Sequence, residues 1–325
     1  MRPEPVIFIV GVGRSGTTLL QGMLNAHKDI AFPPETHFVR EFLANPRINR
    51  LLQKKKFQRV RDSILASESL KRLNLDLAAI LEVCTCEGQF TLVNFYRELL
   101  DVYRRRKNKR LIGDKDPKNV EYLLTIKEYF PEAFIIHLIR DPRDLILSRM
   151  KAEWSKGRPF LSHIAAYREQ LKKGRKEGVN YFGGNYYELR YEDLISNPQH
   201  ELKDICRRLG VEYDPGMLSY PQTAMEIIKG AEIRWKENCF KPVMAANMEK
   251  WPGNLSRRQV SLIEKICRLP FGEYGYRESG YLKGRNIFYK MIDQLLYIAF
   301  YGVDLVYALY HRLRLVVNRK YQKSL

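Results

Sequence analysis

Residues 6–20, VIFIVGVGRSGTTLL, place three glycines between two apolar runs. The five apolar residues before Gly11 suit a buried strand, and the pattern after Gly16 suits a helix. A glycine-rich turn between a strand and a helix presents backbone N–H groups at the positive end of the helix dipole, where an anion binds. This feature predicts an α/β protein with an anion site at the end of its first strand.

Strands alternate with helices along the chain, which predicts a three-layer α/β sandwich around a mostly parallel central sheet. The run AFIIHLIR is continuously apolar up to its last residue, as expected of a parallel strand buried on both faces, and the Asp-Pro pair that follows suits a helix start. The expected strands lie near residues 6–10, 30–32, 110–113, 133–140 and 186–189, and the expected helices span 17–26, 119–129 and 198–209, with a charged helical stretch ending near residue 107.

The chain is strongly basic, with 56 Lys and Arg against 37 Asp and Glu and a formal net charge of +19. This balance favours anionic partners. Because no nucleic-acid-binding motif accompanies the basic clusters at 104–110 and 172–176, we interpret them as solvated helix faces and expect no nucleic-acid partner. The apolar stretch at 6–10 is too short for a signal peptide or anchor, and the five cysteines are scattered, so we expect reduced thiols and a cytoplasmic protein.

Three ligands compete for the glycine-rich turn. A dinucleotide site requires a second strand that ends in an acidic residue about 20 residues further on, whereas the apolar core within residues 26–38 is only three residues long, at 30–32, and ends in the proline pair at 33–34. A nucleoside triphosphatase requires Lys followed by Ser or Thr, but two threonines follow Gly16 and the basic residue is Arg14. A phosphate-linked donor that has no γ-phosphate and needs no metal satisfies the turn.

The segment GVGRSGTTLL resembles the 5′-phosphosulfate loop of sulfotransferases that use 3′-phosphoadenosine 5′-phosphosulfate (PAPS). The segment FIIHLIRDPRDLILSRM resembles the same family's 3′-phosphate motif, an Arg at a strand end followed eight positions later by a Ser. The resemblance implies a sulfotransferase fold of the P-loop type and a set of donor-binding residues: Arg14, Ser15, Gly16, Thr17, Thr18, Arg140 and Ser148.

Residues 11–38 most resemble the tyrosylprotein sulfotransferases, in which Glu35 falls on the catalytic base. A carboxylate can accept the proton of an acceptor hydroxyl; the alternative is a helix N-terminal charge. LIGDKDPKNV resembles that family's Lys-Asp-Pro motif, so Lys115 is expected beside the bridging oxygen of PAPS, with a structural pair to Asp116 as the alternative. Arg14 is expected to help balance the leaving phosphate.

Cytosolic small-molecule sulfotransferases use a histidine as base, and no histidine lies near the Lys-Asp-Pro segment in this sequence. His137 falls inside an apolar strand and is interpreted as a core residue. His27 and His37 flank the loop region and are weaker candidates, with His37 expected to face the acceptor.

Later segments also match the family. LRYEDL resembles its strand-end tyrosine segment, which implies that Tyr191 contacts the adenine. KPVMAANMEKW resembles the segment that closes over the nucleotide, with Lys241 and Lys250 at the matching positions. Two departures concern this lid: the Arg-Lys-Gly motif of cytosolic enzymes is absent, and Trp235 stands where the tyrosylprotein enzymes have a serine. The resemblance covers about residues 5–280.

Residues 285–325 differ from the rest and are interpreted as an amphipathic helical tail after a sulfotransferase domain at 1–284. Asp293, Asp304 and His311 fall on one narrow polar stripe of a helix and leave a wide apolar arc. No 18-residue stretch is free of charge, which argues against a membrane span. Peripheral membrane docking, a homodimer interface and packing on the domain remain open.

The sequence thus predicts transfer of a sulfuryl group from PAPS to a hydroxyl or amine, with Glu35, Lys115 and Arg14 as catalytic residues and no metal. A carbohydrate, a lipid, a peptide tyrosine and a small molecule remain open as acceptors. The alternatives are a magnesium-dependent kinase of related fold and a membrane-associated nucleotide-binding protein without turnover.

Overall fold

A computed structural model describes residues 4–86, 90–221 and 248–281, and residues 291, 295, 298, 299 and 302. The chain divides into two compact units. The first comprises residues up to 138 together with 174–244, and the second comprises 139–173 together with the residues from 245 onward.

A five-stranded sheet forms the centre of the fold, in the order β2-β3-β1-β4-β5. Strand β1 pairs in parallel with β3 and with β4, and β2 pairs in parallel with β3. The strands are β1 (Ile7–Gly11), β2 (Ile30–Ala31), β3 (Leu111–Lys115), β4 (Phe134–Ile139) and β5 (Tyr186–Arg190). Every residue of β1, β3 and β4 is buried, as expected of parallel strands covered on both faces. The predicted α/β architecture is confirmed.

The strand register brings the carboxyl ends of three strands to one edge of the sheet. Ile9 lies opposite Lys115 in the β1–β3 pair, and Ile30 lies opposite Leu111 in the β2–β3 pair. Parallel strands end on the same side, where ligands bind in open α/β sheets. The segments that leave this edge carry Arg14 after β1 and Glu35 after β2.

Helices account for most of the other described residues. A π-helical turn at Val39–Leu43 begins the predicted helical stretch, which then contains five α-helices. The α-helices are α1 (Thr17–Ala26), α2 (Pro46–Gln53), α3 (Phe57–Leu65), α4 (Glu68–Lys71), α5 (Leu77–Cys86), α6 (Leu92–Arg106), α7 (Leu123–Tyr129), α8 (Pro142–Met150), α9 (Phe160–Phe182), α10 (Tyr191–Ser196), α11 (Pro198–Leu209), α12 (Arg257–Ile266) and α13 (Arg268–Glu273). The predicted bounds of α1 and α11 are confirmed.

Two predicted boundaries near the Lys-Asp-Pro segment are wrong. Strand β3 continues through Lys115 instead of ending at residue 113, because its backbone keeps pairing with β1 although its side chains become charged. The helix expected over 119–129 begins as a 3-10 turn at Pro117–Tyr122, where Asp116 accepts a hydrogen bond from Lys118 N as the cap. Both errors come from ionised side chains that hydropathy assigns to the surface.

Stacked aromatic rings fill the core of the first unit beneath the segment that follows β2. The Phe38 ring stacks on the rings of Tyr96 and Phe42 at centroid distances of 4.4 Å and 4.8 Å. The Tyr96 ring meets Phe130 edge-on at 5.7 Å. These large buried rings fix the position of the backbone directly after Glu35.

A buried ion cluster joins elements of the second unit. Arg143, on α8, donates to Asp141 Oδ2 at 2.6 Å and to Glu264 Oε1 on α12 at 2.7 Å. Its guanidinium lies 4.2 Å from the ring centroid of Trp251 and 5.1 Å from that of Phe271. The charge is therefore paired, hydrogen-bonded and covered by aromatic rings.

Several predictions fall partly or wholly outside the described residues. The domain boundary at residue 284 and nearly all of the tail lie there, as do Lys241, Trp235 and Cys239. The four described cysteines form no disulfide with one another. In the part of the chain that the structure describes, no helix has both the length and the hydrophobicity needed to cross a bilayer.

Candidate active site

The glycine-rich turn joins β1 to α1 with two residues in the left-handed region, Arg14 at φ +83° and Gly16 at φ +99°. Ser15 N donates to Val12 O at 3.0 Å and closes the turn. A Cβ at Gly16 would lie 2.4 Å from a ring carbon of Tyr191, so both the backbone conformation and the space require glycine here.

The start of α1 has the properties of an anion site. Within the described residues, no side chain caps this helix and its first turn contains no acidic residue, so its first N–H groups and dipole face outward. The Ser15 hydroxyl is buried and has no hydrogen-bond partner in the described part of the chain. Thr17 and Thr18, also buried, add hydroxyl groups. The loop therefore fits a phosphate or phosphosulfate group.

Lys115 connects this loop to Glu35. Its side chain is fully buried at the end of β3. Its Nζ donates to Thr18 Oγ1 at 3.2 Å and also donates a short hydrogen bond to Glu35 Oε1. The structure thus places Lys115 between Glu35 and Thr18. Glu35 precedes the π-helical turn, but no side chain caps that turn. The Glu35 carboxylate contacts Lys115 instead.

His37 lies beside the Lys-Asp-Pro segment, although no histidine is near that segment in the sequence. Its Nδ1 is 2.8 Å from Asp116 Oδ2, and Arg40 Nε donates to the same oxygen at 3.1 Å. Burial tends to raise the pKa of Asp116, but the hydrogen bond from His37, helped by the positive charge of Arg40, holds it below its usual value. Asp116 therefore remains an anion that orients the imidazole.

A second buried carboxyl, Asp114, is hydrogen-bonded to the segment that carries Glu35 and to the turn that follows Lys115. It accepts hydrogen bonds from Thr36 Oγ1 at 3.0 Å and Asn119 Nδ2 at 3.3 Å. Burial, reinforced by the charge of Asp116, raises the pKa of Asp114 to about 6. Sequence reasoning missed both Thr36 and Asp114, although each directly neighbours a predicted catalytic residue, Glu35 or Lys115.

Donor atoms of Glu35, His37 and Asp116 lie within 4.8 Å of one another, a spacing that suits a metal ion. Each carboxylate of the group already contacts a cation, Lys115 on Glu35 and Arg40 on Asp116. The cluster is therefore close to charge balance through its own side chains.

The other two histidines discussed above have structural positions. His137 is buried in β4 with Nδ1 2.6 Å from Tyr186 Oη, and burial lowers its pKa to about 3, as expected of the predicted core residue. His27 is also buried, with Nε2 2.8 Å from Glu212 O and Nδ1 accepting from Asp29 N at 2.9 Å. Neither ring faces Glu35.

The second unit carries the strand-to-helix junction that was predicted to bind the 3′-phosphate. Arg140 follows β4, and Asp141 caps α8 by accepting from Arg143 N at 2.8 Å. Tyr167 Oη donates to Arg140 O at 2.7 Å and fixes the backbone at the turn. Ser148 lies half-buried on the helix that begins here.

Lys250 lies in a segment attached to the same helix. Asp144, on α8, accepts from Trp251 N at 2.8 Å, and this bond holds the backbone beside the exposed Lys250. The structure thus brings Lys250 to the element that carries Ser148. In the first unit, Tyr191 packs its ring against Gly16, and its contact with adenine stays a prediction.

Together, the sheet order, the anion-binding turn and the carboxylate–lysine pair define an α/β protein with a candidate anion site at the carboxyl edge of its sheet. A profile of the sulfotransferase family matches residues 5–215. The chain belongs to the sulfotransferase family.

Relatives of known name agree with this assignment. The chain is 24% identical over 271 residues to protein-tyrosine sulfotransferase A of Caenorhabditis elegans, covering 82% of this chain and 66% of that protein. It is 28% identical over 242 residues to nodulation protein NoeE of Sinorhizobium fredii, covering 66% of this chain and 51% of that one. The chain thus spans about half to two thirds of the length of these relatives.

Solved structures show the same fold. The sulfotransferase domain of the curacin biosynthetic pathway superimposes with a TM-score of 0.58 at 18% identity, over 85% of this chain and 99% of that domain. The sulfotransferase domain of the Synechococcus PCC 7002 olefin synthase gives 0.56 at 23% identity, over 85% and 96%. Neither the kinase nor the non-catalytic alternative gains support from these comparisons.

Proposed function

We propose that this protein transfers the sulfuryl group of PAPS to a hydroxyl or amine acceptor and releases 3′,5′-bisphosphoadenosine. The observation that carries the proposal is the position of Lys115, whose Nζ contacts both Glu35 and Thr18 of the anion-binding turn. One buried cation thereby links a candidate base to a candidate phosphate site, which is the arrangement that such a transfer needs.

The turn between β1 and α1 is the proposed site for the 5′-phosphosulfate. Backbone N–H groups at the start of α1 donate to the anion, and the Ser15 hydroxyl supplies a buried donor that has no partner among the described residues. Thr17 and Thr18 add hydroxyl groups, and Arg14 adds positive charge. Gly16 permits the close approach of the Tyr191 ring, the proposed contact for the adenine.

For the 3′-phosphate we assign Arg140 and Ser148, with Lys250 as a further cation and Lys241 on sequence grounds alone. The support is the junction of β4 and α8, where Asp141 and Tyr167 hold the backbone around Arg140. Arg140→Ala is expected to weaken nucleotide binding more than it lowers turnover, because the 3′-phosphate is remote from the bond that breaks.

In the proposed reaction Glu35 removes the proton of the acceptor as the acceptor oxygen or nitrogen bonds to sulfur. The bond from sulfur to the bridging phosphate oxygen breaks, and its electron pair stays on the phosphate. Lys115 and Arg14 balance the negative charge that develops there, and such preorganised charge is commonly a large catalytic contribution. No step requires a metal ion.

For the acceptor we propose a hydroxyl group. The name of the C. elegans relative refers to protein tyrosine, so a tyrosine peptide is the first acceptor to test, beside a carbohydrate and a lipid.

The deciding experiment is calorimetric titration with 3′,5′-bisphosphoadenosine in EDTA, with ADP as the control, followed by transfer of labelled sulfuryl from PAPS to the acceptor panel. Binding that depends on the 3′-phosphate and persists in EDTA, together with a labelled product, is the expected result. A preference for ADP that appears only with magnesium would overturn the proposal in favour of a kinase.

The tail at residues 285–325 is proposed to dock on a membrane surface, with its basic end on acidic lipid. Sedimentation with liposomes that contain phosphatidylserine tests this, and loss of binding on removal of 285–325 is expected. Unchanged sedimentation would reject membrane docking, and a change from dimer to monomer on truncation would assign the tail to a homodimer interface.

A further inference from the structure

The two oxygens of the Glu35 carboxylate face different partners. Oε1 accepts from Lys115, which the proposed mechanism uses. Oε2 lies 3.9 Å from His37 Nε2, and on the other side of that ring Nδ1 lies 2.8 Å from Asp116 Oδ2. Glu35, His37 and Asp116 thus form a row in which the imidazole stands between two carboxylates.

The hydrogen bond to Asp116 determines which nitrogen of His37 carries the proton. An ionised carboxylate only accepts hydrogen bonds, so Nδ1 is the N–H donor to Asp116. Nε2 faces Glu35 Oε2 across 3.9 Å, and in the neutral tautomer that donates at Nδ1 it has a lone pair that can accept a proton. One added proton turns this arrangement into a hydrogen bond, and the proposed reaction releases one proton at Glu35.

We propose that His37 is a positioning residue for Glu35 that takes up, at Nε2, the proton which Glu35 removes from the acceptor. The inference rests on the proposed function. The acceptor O–H or N–H bond breaks, its proton passes to Glu35 Oε2 and then to His37 Nε2, and Asp116 balances the imidazolium. Bringing the two atoms to hydrogen-bond distance takes about 1 Å of side-chain movement.

The backbone and the charges around His37 support this role. His37 has φ +54°, in a region that costs free energy for a side-chain-bearing residue and is concentrated at functional sites. The carboxylates of Glu35 and Asp116 lie on either side of the imidazole. Lys115 contacts Glu35 and Arg40 contacts Asp116, and Asp114 is hydrogen-bonded to Thr36, the residue before His37.

His37→Asn is the informative variant, because asparagine suits a positive φ and its amide can still donate to Asp116, but it has no nitrogen that accepts a proton near neutral pH. Turnover is expected to fall at least about tenfold while the affinity for bisphosphoadenosine is unchanged. The pH profile of turnover should also differ from that of the wild type, because the variant has no group at this position that takes up a proton. His200→Asn, on an exposed histidine, is the matched control.

His37→Gly provides a second test. Glycine adopts φ +54° without strain, and the space left by the ring admits free imidazole. Added imidazole is expected to restore turnover at least about fivefold, in proportion to its unprotonated form, an effect that a purely structural role would not produce.

The outcomes separate this inference from the proposed function. If the wild-type protein transfers sulfuryl and Glu35→Gln does not, while His37→Asn keeps wild-type turnover and pH profile, the role of His37 is wrong and the function stands. Absence of imidazole rescue in a folded, slow His37→Gly variant also overturns it. If the wild-type protein transfers no sulfuryl group to any acceptor, the proposed function itself fails.

Discussion

The second unit's Arg143 cluster and the first unit's Lys115 cluster are both buried ion groups, but their polar atoms are satisfied in different ways. Arg143 donates to Asp141 and Glu264, and Trp251 covers the guanidinium. Glu264 also accepts from Ser279 N and Ser279 Oγ, each at 2.9 Å. Its ions are paired and its donors are directed at other protein groups, which is the arrangement of a structural cluster.

The Lys115 cluster is arranged differently. Lys115 contacts Glu35 and Thr18, and next to them Ser15 has a buried hydroxyl without a partner among the described residues. Glu35 Oε2 also lies 3.9 Å from His37 Nε2. Orphaned polar atoms are rare in folded proteins unless a ligand or a reaction uses them. Complete hydrogen bonding within a buried ion cluster is therefore typical of a structural role, whereas an unpartnered buried hydroxyl beside such a cluster is typical of a binding or catalytic site.

The largest expected effect is a loss of folding stability when the Arg143 cluster is broken. Arg143→Met leaves Asp141 and Glu264 buried without their cation and should lower the free energy of unfolding by roughly 3–5 kcal/mol. Urea denaturation measures it, with Arg277→Met on an exposed arginine as the control, for which about 0.5 kcal/mol or less is expected. If both variants unfold at the same urea concentration as the wild type, the Arg143 cluster does not stabilise the fold, and its structural role is wrong.

The next largest effect is expected on turnover, when a residue of the Lys115 cluster is replaced. Lys115→Ala removes the cation beside the leaving phosphate and should slow sulfuryl transfer at least about a hundredfold, or about 2.7 kcal/mol of barrier. Labelled PAPS measures the rate, and Lys118→Ala, on an exposed lysine three residues away, is the control. Turnover near the wild-type value would remove Lys115 from the mechanism.

A smaller effect is expected from the anion-binding turn. Gly16→Ala places a methyl group against the Tyr191 ring at a residue with φ +99°, and strain of about 1–3 kcal/mol should weaken bisphosphoadenosine binding about tenfold. The control is Gly210→Ala, which shares a positive φ but meets no atom within 4 Å. Equal affinity in calorimetry for Gly16→Ala and the wild type would contradict the assigned loop.

The last predicted effect is a change of folding stability with pH that comes from Asp114. The folded-state pKa of Asp114, about 6, lies above its ordinary value because of burial. The folded state therefore keeps a proton that the unfolded chain has lost, and the stability from this group falls as pH rises from about 4 to about 6. Asp114→Asn removes this decline, so the stability of the variant relative to the wild type should rise between pH 4 and pH 7.

The measurement is urea denaturation of the wild type and Asp114→Asn between pH 4 and pH 8. Asparagine keeps an acceptor for Thr36, and its amide N–H can donate to Asn119 Oδ1, which has no described partner. The exposed Asp62→Asn is the control. A stability difference between variant and wild type that does not change with pH would show that Asp114 does not titrate in this range.

Most of the sheet and the anion-binding turn could be predicted from the sequence, because both depend on local patterns. Apolar runs predict β1 and β4, and the glycine spacing predicts the turn at Gly16. It failed where ionised residues are buried: β3 was ended before Lys115, and Asp114 was not considered. Hydropathy assigns charge to the surface, whereas here the charges are paired across different strands.

Local sequence patterns are enough to predict the alternation of strands and helices, the glycine-rich turn and the family resemblance, since each depends on short segments whose chemistry is local. Only the tertiary structure brought His37 to Asp116, 79 positions apart, and Lys115 to both Glu35 and Thr18. Parallel strands collect their carboxyl ends at one edge of a sheet. Residues far apart in the chain meet there, and no local pattern records which of them share a proton or a charge.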